Sequence, residues 1–316
     1  MNNKILSIAI PTRSQPQELK TTLESIIPQI SPELEIVIGD NSADLETETL
    51  VKKEFGITTI RYFNNGEDLG LDRNILSITE KAKGKYVWLF GDDEMEPGAI
   101  THVLDIIKKN PEVALIWMNF KTPDSERPAR NLGRDRFFKD KNQALEEISN
   151  ELGFMSSMIF RKDKISNIDE ENINQFIGSR FICFYLVMYI LSQEGRFYYV
   201  DYPYVIGHLT PAGKHSYDGF QAFGVDFYRI VKNFQDKFDK KSVKKMLAKN
   251  FGYVWRGILV GWMKGFETPK GKFKTMLKLY WNFPEFWIAG PLFLMPQFMT
   301  KFVYFIYKKV FRLKHE

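Results

Sequence analysis

The stretch YVWLFGDDEMEPGAI (residues 86–100) runs five mostly apolar residues straight into three consecutive acids, Asp92, Asp93 and Glu94. A short apolar run ending in a Gly-Asp-Asp turn reads as a buried strand, and Val103, Leu104, Ile106 and Ile107 behind it repeat at helical spacing. The same alternation extends in both directions. ILSIAI (5–10), EIVIGD (35–40), TTIRYF (58–63) and VALIWM (113–118) read as further strands. Leu19, Leu23, Ile26 and Ile27, and then Leu71, Ile75 and Ile78, mark helices between them. Strands alternating with helices predict an α/β, doubly wound sheet. Ligands bind such sheets beyond the carboxyl ends of the strands, where PTRS (11–14), GDNSAD (39–44) and GDDE (91–94) all fall.

The pattern loosens after residue 120. KTPDSERPARNLGRDRFFKDK (121–141) is polar, carries two prolines and reads as a surface loop or lid. FMSSMIF (154–160) and RFYYVDYPYVIGHL (196–209) read as strands, with a helix over 179–195 between them. From 219 onwards the chain turns helical, basic and aromatic, which puts a boundary near 215.

With 316 residues and 44% hydrophobic content, the chain can bury a sizeable core. A single cysteine, Cys183, excludes a disulfide framework and any Cys-rich metal site. The N-terminus lacks a secretory pattern, so a cytoplasmic location is expected. Net charge is +5, but residues 229–316 alone carry 19 Lys and Arg against 5 Asp and Glu. That excess, among aromatic residues, points to an anionic partner surface.

Residues 286–300 contain no charge, and six apolar or aromatic residues lie between Lys301 and Lys308. Pro291, Pro296 and Lys301 interrupt the run, so an amphipathic segment near 284–312 lying on a membrane surface is expected rather than a span. The alternative is a buried helix pair or a dimer contact. Nucleic acid is not expected, because phosphate binding needs no long uncharged apolar run.

Adjacent carboxylates at a strand end repel each other, and nothing in a strand-to-helix turn requires them. Asp92 and Asp93 therefore read as ligands for Mn²⁺ or Mg²⁺, completed by a substrate diphosphate and water. Glu94 and Glu96 read as first-turn acids of the helix beginning near Pro97. Asp40 is either a cap within its turn or an acceptor for the imide N–H of uracil or thymine.

In the order and spacing of four motifs, SIAIPTRSQPQELKTTLESI (7–26), VIGDNSAD (37–44), DLGLDRNI (68–75) and YVWLFGDDEMEPGAI, the sequence resembles glycosyltransferase family 2, whose fold is GT-A. The match covers roughly 5–118 and is nearest to the abequosyltransferase-like enzymes of bacterial surface polysaccharide synthesis. The resemblance implies a GT-A mixed sheet over 1–215, with 1–120 binding the nucleotide sugar and 121–215 facing the acceptor; the basic, aromatic pattern puts a helical, membrane-associating region over 216–316. It places Pro11, Thr12 and Arg13 along the nucleotide, Asp40 at the base, Arg73 at base or diphosphate, Asp92 at ribose and metal, and Asp93 at the metal.

Two features depart from the family pattern. Typical members read Asp-x-Asp-Asp, and alignment on EPGAI puts Phe90 at the first acid. An acid pair is also usual about a dozen residues before a glycine such as Gly195, where this chain has FICFYL (181–186). Candidates for the base that deprotonates an acceptor hydroxyl are Glu170, Glu171, Asp201 and His215, with Asp169, His208 and Asp218 behind them. Without such a base the anomeric configuration could be retained.

The function expected is transfer of a sugar from a UDP, dTDP or CDP donor to a glycan on polyprenyl diphosphate, on the inner face of the cell membrane. The result would be O-antigen or capsule. Two rivals are a noncatalytic nucleotide-binding scaffold and a sugar nucleotidyltransferase; AIPTRSQPQ (9–17) lacks the glycine-rich, lysine-bearing loop that the second needs.

Overall fold

The computed structural model describes residues 4–56, 60–193, 196–208, 218–263 and 271–290, together with 294, 296, 298, 299, 302 and 305. The chain divides into two compact units, residues 1–209 with 233–242, and residues 210–232 with 243–316.

The first unit is built on a nine-stranded mixed sheet. Its strands are β1 (Leu6–Thr12), β2 (Leu34–Asp40), β3 (Ile60–Asn64), β4 (Tyr86–Leu89), β5 (Glu94–Met95), β6 (Leu115–Lys121), β7 (Arg136–Phe138), β8 (Met158–Arg161) and β9 (Phe197–Ile206). They lie in the order β3-β2-β1-β4-β8-β6-β9-β5, with β7 also on β9. The β3-β2-β1-β4 half is parallel, as the alternation of strands and helices predicts. Strand β8 enters antiparallel between β4 and β6, which makes the sheet mixed.

Helices α1 (Pro16–Ile26), α2 (Glu46–Leu50), α3 (Leu71–Lys81) and α4 (Ala99–Lys109) connect the strands, followed by α5 (Lys141–Ile148), α6 (Glu170–Asn174) and α7 (Ile182–Gln193). Helices α1, α3 and α4 bury the stripes that their periodicity marks, Leu19, Leu23 and Ile26, Ile75 and Ile78, and Val103, Leu104 and Ile107. Helix α7 is apolar on all sides and buried on nearly all of them. Both faces of β1 and β2 are covered, which is why they read as continuous apolar runs.

At the amino-terminal edge, Glu35 is buried and its carboxylate accepts from the Ser7 hydroxyl (2.6 Å), the Lys83 N–H (2.5 Å) and Arg61 (3.1 Å). Burial pushes its pKa up, but these three donors outweigh burial and hold it below the usual carboxylate value. A depressed folded-state pKa stabilises the fold above the unfolded value, about 4.3, and that stability disappears as pH falls through the folded value. The urea midpoint of Glu35→Gln should lie below wild type at pH 7, and the gap should close below about pH 4. A gap unchanged across that range contradicts the assignment.

The second unit is helical, with α8 (Phe227–Asn233), α9 (Lys240–Met263), α10 (Lys272–Tyr280) and α11 (Pro284–Ala289). Phe251, Tyr280 and Phe286 form its core, and buried Asn250 donates to the Phe223 carbonyl and the Tyr280 hydroxyl. Trp281, Trp287, Ile288, Phe298, Phe302 and Phe305 are exposed. No helix among the described residues is long and apolar enough to cross a membrane. Much of the amphipathic segment expected over 284–312 lies outside the described residues.

Candidate active site

The parallel strands deliver three polar turns to one edge. Thr12 ends β1 opposite Asp40, the last residue of β2, and the Asn41 N–H donates to the Thr12 carbonyl at 3.0 Å. On the other side of β1, the Phe90 N–H donates to the Ala9 carbonyl at 2.9 Å, so the acids emerge one strand away from Thr12.

Ser42 ties the first two turns together. Its hydroxyl donates to Asp40 Oδ1 and accepts the Ser14 N–H at 2.7 Å, which fixes Ser14 in a left-handed conformation just before α1. The third turn, 68–74, docks through Asn41, whose Nδ2 donates to Asp68 (3.3 Å) and to the Gly70 carbonyl (3.2 Å). Arg13 pairs with Asp68 at 2.6 Å. Gly70 takes φ +76° immediately before α3, a turn that disfavours a side chain.

Asp40 is fully buried, and both of its oxygens are taken, Oδ1 by Ser42 and Oδ2 by the Tyr62 hydroxyl. Burial and the adjoining Asp40 push the Tyr62 phenol strongly upwards. Pro11 is buried in register with Gly39, whereas Arg73 is exposed on the first turn of α3. Thr12 is buried, and its Oγ1 has no hydrogen-bond partner among the described residues.

The two aspartates of the acid turn are in different situations. Asp93 takes a hydrogen bond on each oxygen, from the His208 N–H (2.8 Å) and from the Ser156 hydroxyl. Ser156 in turn accepts the Gly91 N–H at 2.8 Å and is anchored by Trp88, which donates to its carbonyl. Asp92 Oδ1, by contrast, is buried and unpartnered among the described residues. Burial, then the Asp93 charge, raise the Asp92 pKa to about 6. Burial also raises that of Asp93, against the opposing pull of Ser156 and the His208 N–H.

Glu94 and Glu96 differ from the expectation of first-turn helix acids. Glu94 lies in β5 and meets His208 Nε2 at 2.7 Å; Glu96 pairs with Lys121 at 3.0 Å. Helix α4 starts later, at Ala99, after a left-handed Gly98. A carboxylate pinned by a strand partner has no need of a helix end.

Among the candidate bases, Glu170 and Glu171 are exposed on the first turn of α6, which Asp169 caps. Asp201 Oδ1 accepts from the Leu132 N–H and the Tyr199 hydroxyl. His215 lies outside the described residues. Sequence reasoning missed Ser156 and Tyr62; the one visible signal was a pair of serines inside the apolar run FMSSMIF.

No group of three or more His, Cys, Asp or Glu among the described residues converges as a metal cage. The donor set still fits a divalent cation of the kind that keeps water and substrate phosphates and takes one or two protein carboxylates, because Asp92 offers a hard, unpartnered oxygen.

Comparison with known proteins agrees with this fold. The sequence model described as Glycosyl transferase family 2 matches residues 7–167. Abequosyltransferase RfbV of Salmonella typhimurium is 24% identical over 272 residues, covering 78% of this chain and 79% of that protein. An uncharacterized glycosyltransferase of Haemophilus influenzae is 28% identical over 114 residues, 36% of this chain and 38% of that one. Crystal structures of S. aureus TarS 1–349 with UDP and with UDP-GlcNAc superpose with TM-scores of 0.56 and 0.55, at 14% and 12% identity. Each covers 78% of this chain, and 70% and 71% of TarS 1–349 respectively. The likeness to TarS is one of fold, an α/β GT-A-like mixed sheet.

Proposed function

We propose, on the premise that this chain belongs to glycosyl transferase family 2, that it moves a sugar from a nucleoside-diphosphate donor to a glycan acceptor, with Asp92 as the carboxylate that meets the donor's divalent cation. One observation carries this reading: the unpartnered, buried Oδ1 of Asp92 at the carboxyl edge of a parallel sheet. A buried carboxylate oxygen without a donor has room for an ion, water or ligand to complete it. The TarS structures with UDP and UDP-GlcNAc support a nucleotide-sugar donor, and likeness to an abequosyltransferase supports a surface-polysaccharide acceptor.

A bound Mn²⁺ or Mg²⁺ would supply positive charge to the diphosphate as it departs. The chain's own contribution is to keep the Asp92 carboxylate desolvated and aimed. Asp93, hydrogen-bonded on both oxygens, holds the turn, which favours Asp92 over Asp93 as the metal carboxylate. Thr12 Oγ1 offers a second buried polar atom one strand away, and Arg13 and Arg73 supply cationic charge for phosphate. Asp40 shapes the 40–42 turn, and because it is fully buried it accepts a uracil or thymine imide N–H only if the turn opens to expose it. The first test is release of sugar from UDP-, dTDP- and CDP-sugars by the full chain, with and without membrane extract as acceptor. Turnover of one donor supports the reading.

No turnover, combined with retained nucleotide binding, would favour the scaffold reading. That alternative draws its support from α7, which is buried and carries no acid where family members usually have a pair.

The exposed Trp281, Trp287, Ile288 and Phe298 beside a strongly basic sequence support a peripheral position on the inner face of the membrane, with an acceptor carried on polyprenyl diphosphate. The full chain is expected to co-sediment with phosphatidylglycerol vesicles, less so as salt rises, and not with neutral vesicles. Equal recovery with both kinds of vesicle contradicts this placement.

A further inference from the structure

Strand β9 does not run straight beside β6. Met118 faces Val200, but Phe120 faces Val205, so four residues, Asp201-Tyr202-Pro203-Tyr204, stand opposite Asn119 alone. An excursion of this size forfeits ladder pairing and is a built feature rather than a defect. Asn119, fully buried, fills it: Nδ2 donates to the Asp201 and Arg130 carbonyls and to the Tyr199 hydroxyl, while Oδ1 accepts from the Phe120 and Arg130 N–H groups. Asp135 clamps the bulge from outside, accepting the Asp201 N–H at 2.9 Å and meeting His102 Nε2 at 2.9 Å.

This scaffolding presents two tyrosines. Tyr202 is 54% exposed, its ring centroid is 4.6 Å from that of Tyr204, and Tyr204 lies 5.2 Å from the His102 ring. The Tyr204 carbonyl accepts the Glu96 N–H at 2.8 Å, and four residues further on the His208 N–H reaches Asp93. Along the chain Tyr204 is therefore no more than about 14 Å, and Tyr202 no more than about 21 Å, from the residue that braces the acid turn. An exposed Tyr202 against a half-buried Tyr204, held by a rigid and costly bulge on the strand that leads to the acid turn, suits a ligand with an apolar face and a hydroxylated rim.

We propose that Tyr202 and Tyr204 form a stacking platform for a pyranose ring of the acceptor glycan, binding its C–H face while the phenol hydroxyls meet its rim. This deepens the transferase reading and rests on it for the word acceptor; the saccharide site itself does not. The test is saturation-transfer NMR on the full chain with methyl galactoside, methyl mannoside, methyl rhamnoside and N-acetylglucosamine. Nucleotide titrations are run on the same samples. Transfer to the ring C–H protons of at least one sugar is expected, falling about fivefold to tenfold in Tyr202→Ala/Tyr204→Ala and persisting in Tyr202→Trp, with nucleotide binding unchanged. No transfer from wild type, or equal transfer from the alanine variant, overturns the platform while leaving the transferase reading intact. Saturation transfer that depends on the two tyrosines, in a chain that binds no nucleotide, leaves the platform as a saccharide site and removes the transferase.

Discussion

Asp92→Asn is expected to lower donor turnover by about 10²–10³-fold, the range for removing one preorganised electrostatic contact from a reacting centre. It should also raise the melting temperature by a few degrees. These opposite effects share one cause. Ionised Asp92 is desolvated, lacks a hydrogen bond on Oδ1 and stands next to a second carboxylate, and its raised pKa means that its charge destabilises the empty fold near neutral pH. An amide removes the repulsion and the ligand together. Asp93→Asn should cost less activity and gain less stability. Burial raises the Asp93 pKa as well, but its two oxygens hold the Gly91–Asp93 turn to Ser156 and to the segment beyond β9, and an amide loses one of those acceptors. Thermal scans and turnover measured on both variants decide the matter. Equal losses in the two, with equal shifts in stability, would mean that the acids act as a pair and that the division of labour is wrong.

Gly39→Ala is expected to destabilise the fold by about 3 kcal/mol, at the upper end of ordinary overpacking. A Cβ at this position would stand 2.2 Å from Ile78 Cγ2 and 2.3 Å from Asn74 Oδ1. Helix α3 crosses β2 on this glycine, and Asn74 Nδ2 donates to its carbonyl at 2.7 Å, so retreat of the helix also breaks a buried hydrogen bond. The strain would reach the candidate site, because Asp40 and Asn41 follow directly and Asn74 also receives a bond from Asn65. A melting temperature lower by about 6–12 °C is expected for a unit of this size. Gly257→Ala, on α9 with nothing near its Cβ position, is the control and should be neutral or slightly stabilising. Should Gly39→Ala melt with wild type, the close approach of α3 to β2 is not a feature of the protein in solution.

The parallel half of the sheet was legible because β1, β2 and β4 are buried on both faces and its helices on one. ILSIAI and EIVIGD are mostly apolar runs without alternation, whereas α1, α3 and α4 repeat at helical spacing. The turns 11–14, 39–44 and 91–94 could be placed from strand direction alone, and the first two do meet through Ser42; that 68–74 docks on them through Asn41 and Asp68 could not be read that way. What could not be read depends on pairing between distant segments. Strand β5 is two residues long and exists because β9 lies beside it, so Glu94 and Glu96 resembled helix-start acids. The bulge in β9 is invisible without β6 as a ruler. Likewise, Asp92 and Asp93 are equivalent in the sequence and become different only when Ser156, 63 residues away, chooses one of them. The polar stretch after residue 120 read as loop, yet Arg136–Phe138 pairs with β9, since a three-residue strand carries no periodicity.

The most direct test of the account is a calorimetric titration of the full chain with UDP, CDP and dTDP, each in Mn²⁺ and in EDTA, repeated on Asp92→Asn. Binding of one nucleotide that needs Mn²⁺ in wild type, and no longer responds to Mn²⁺ in the variant, is the predicted result. Binding of no nucleotide under either condition, or the same Mn²⁺ dependence in Asp92→Asn as in wild type, would contradict it.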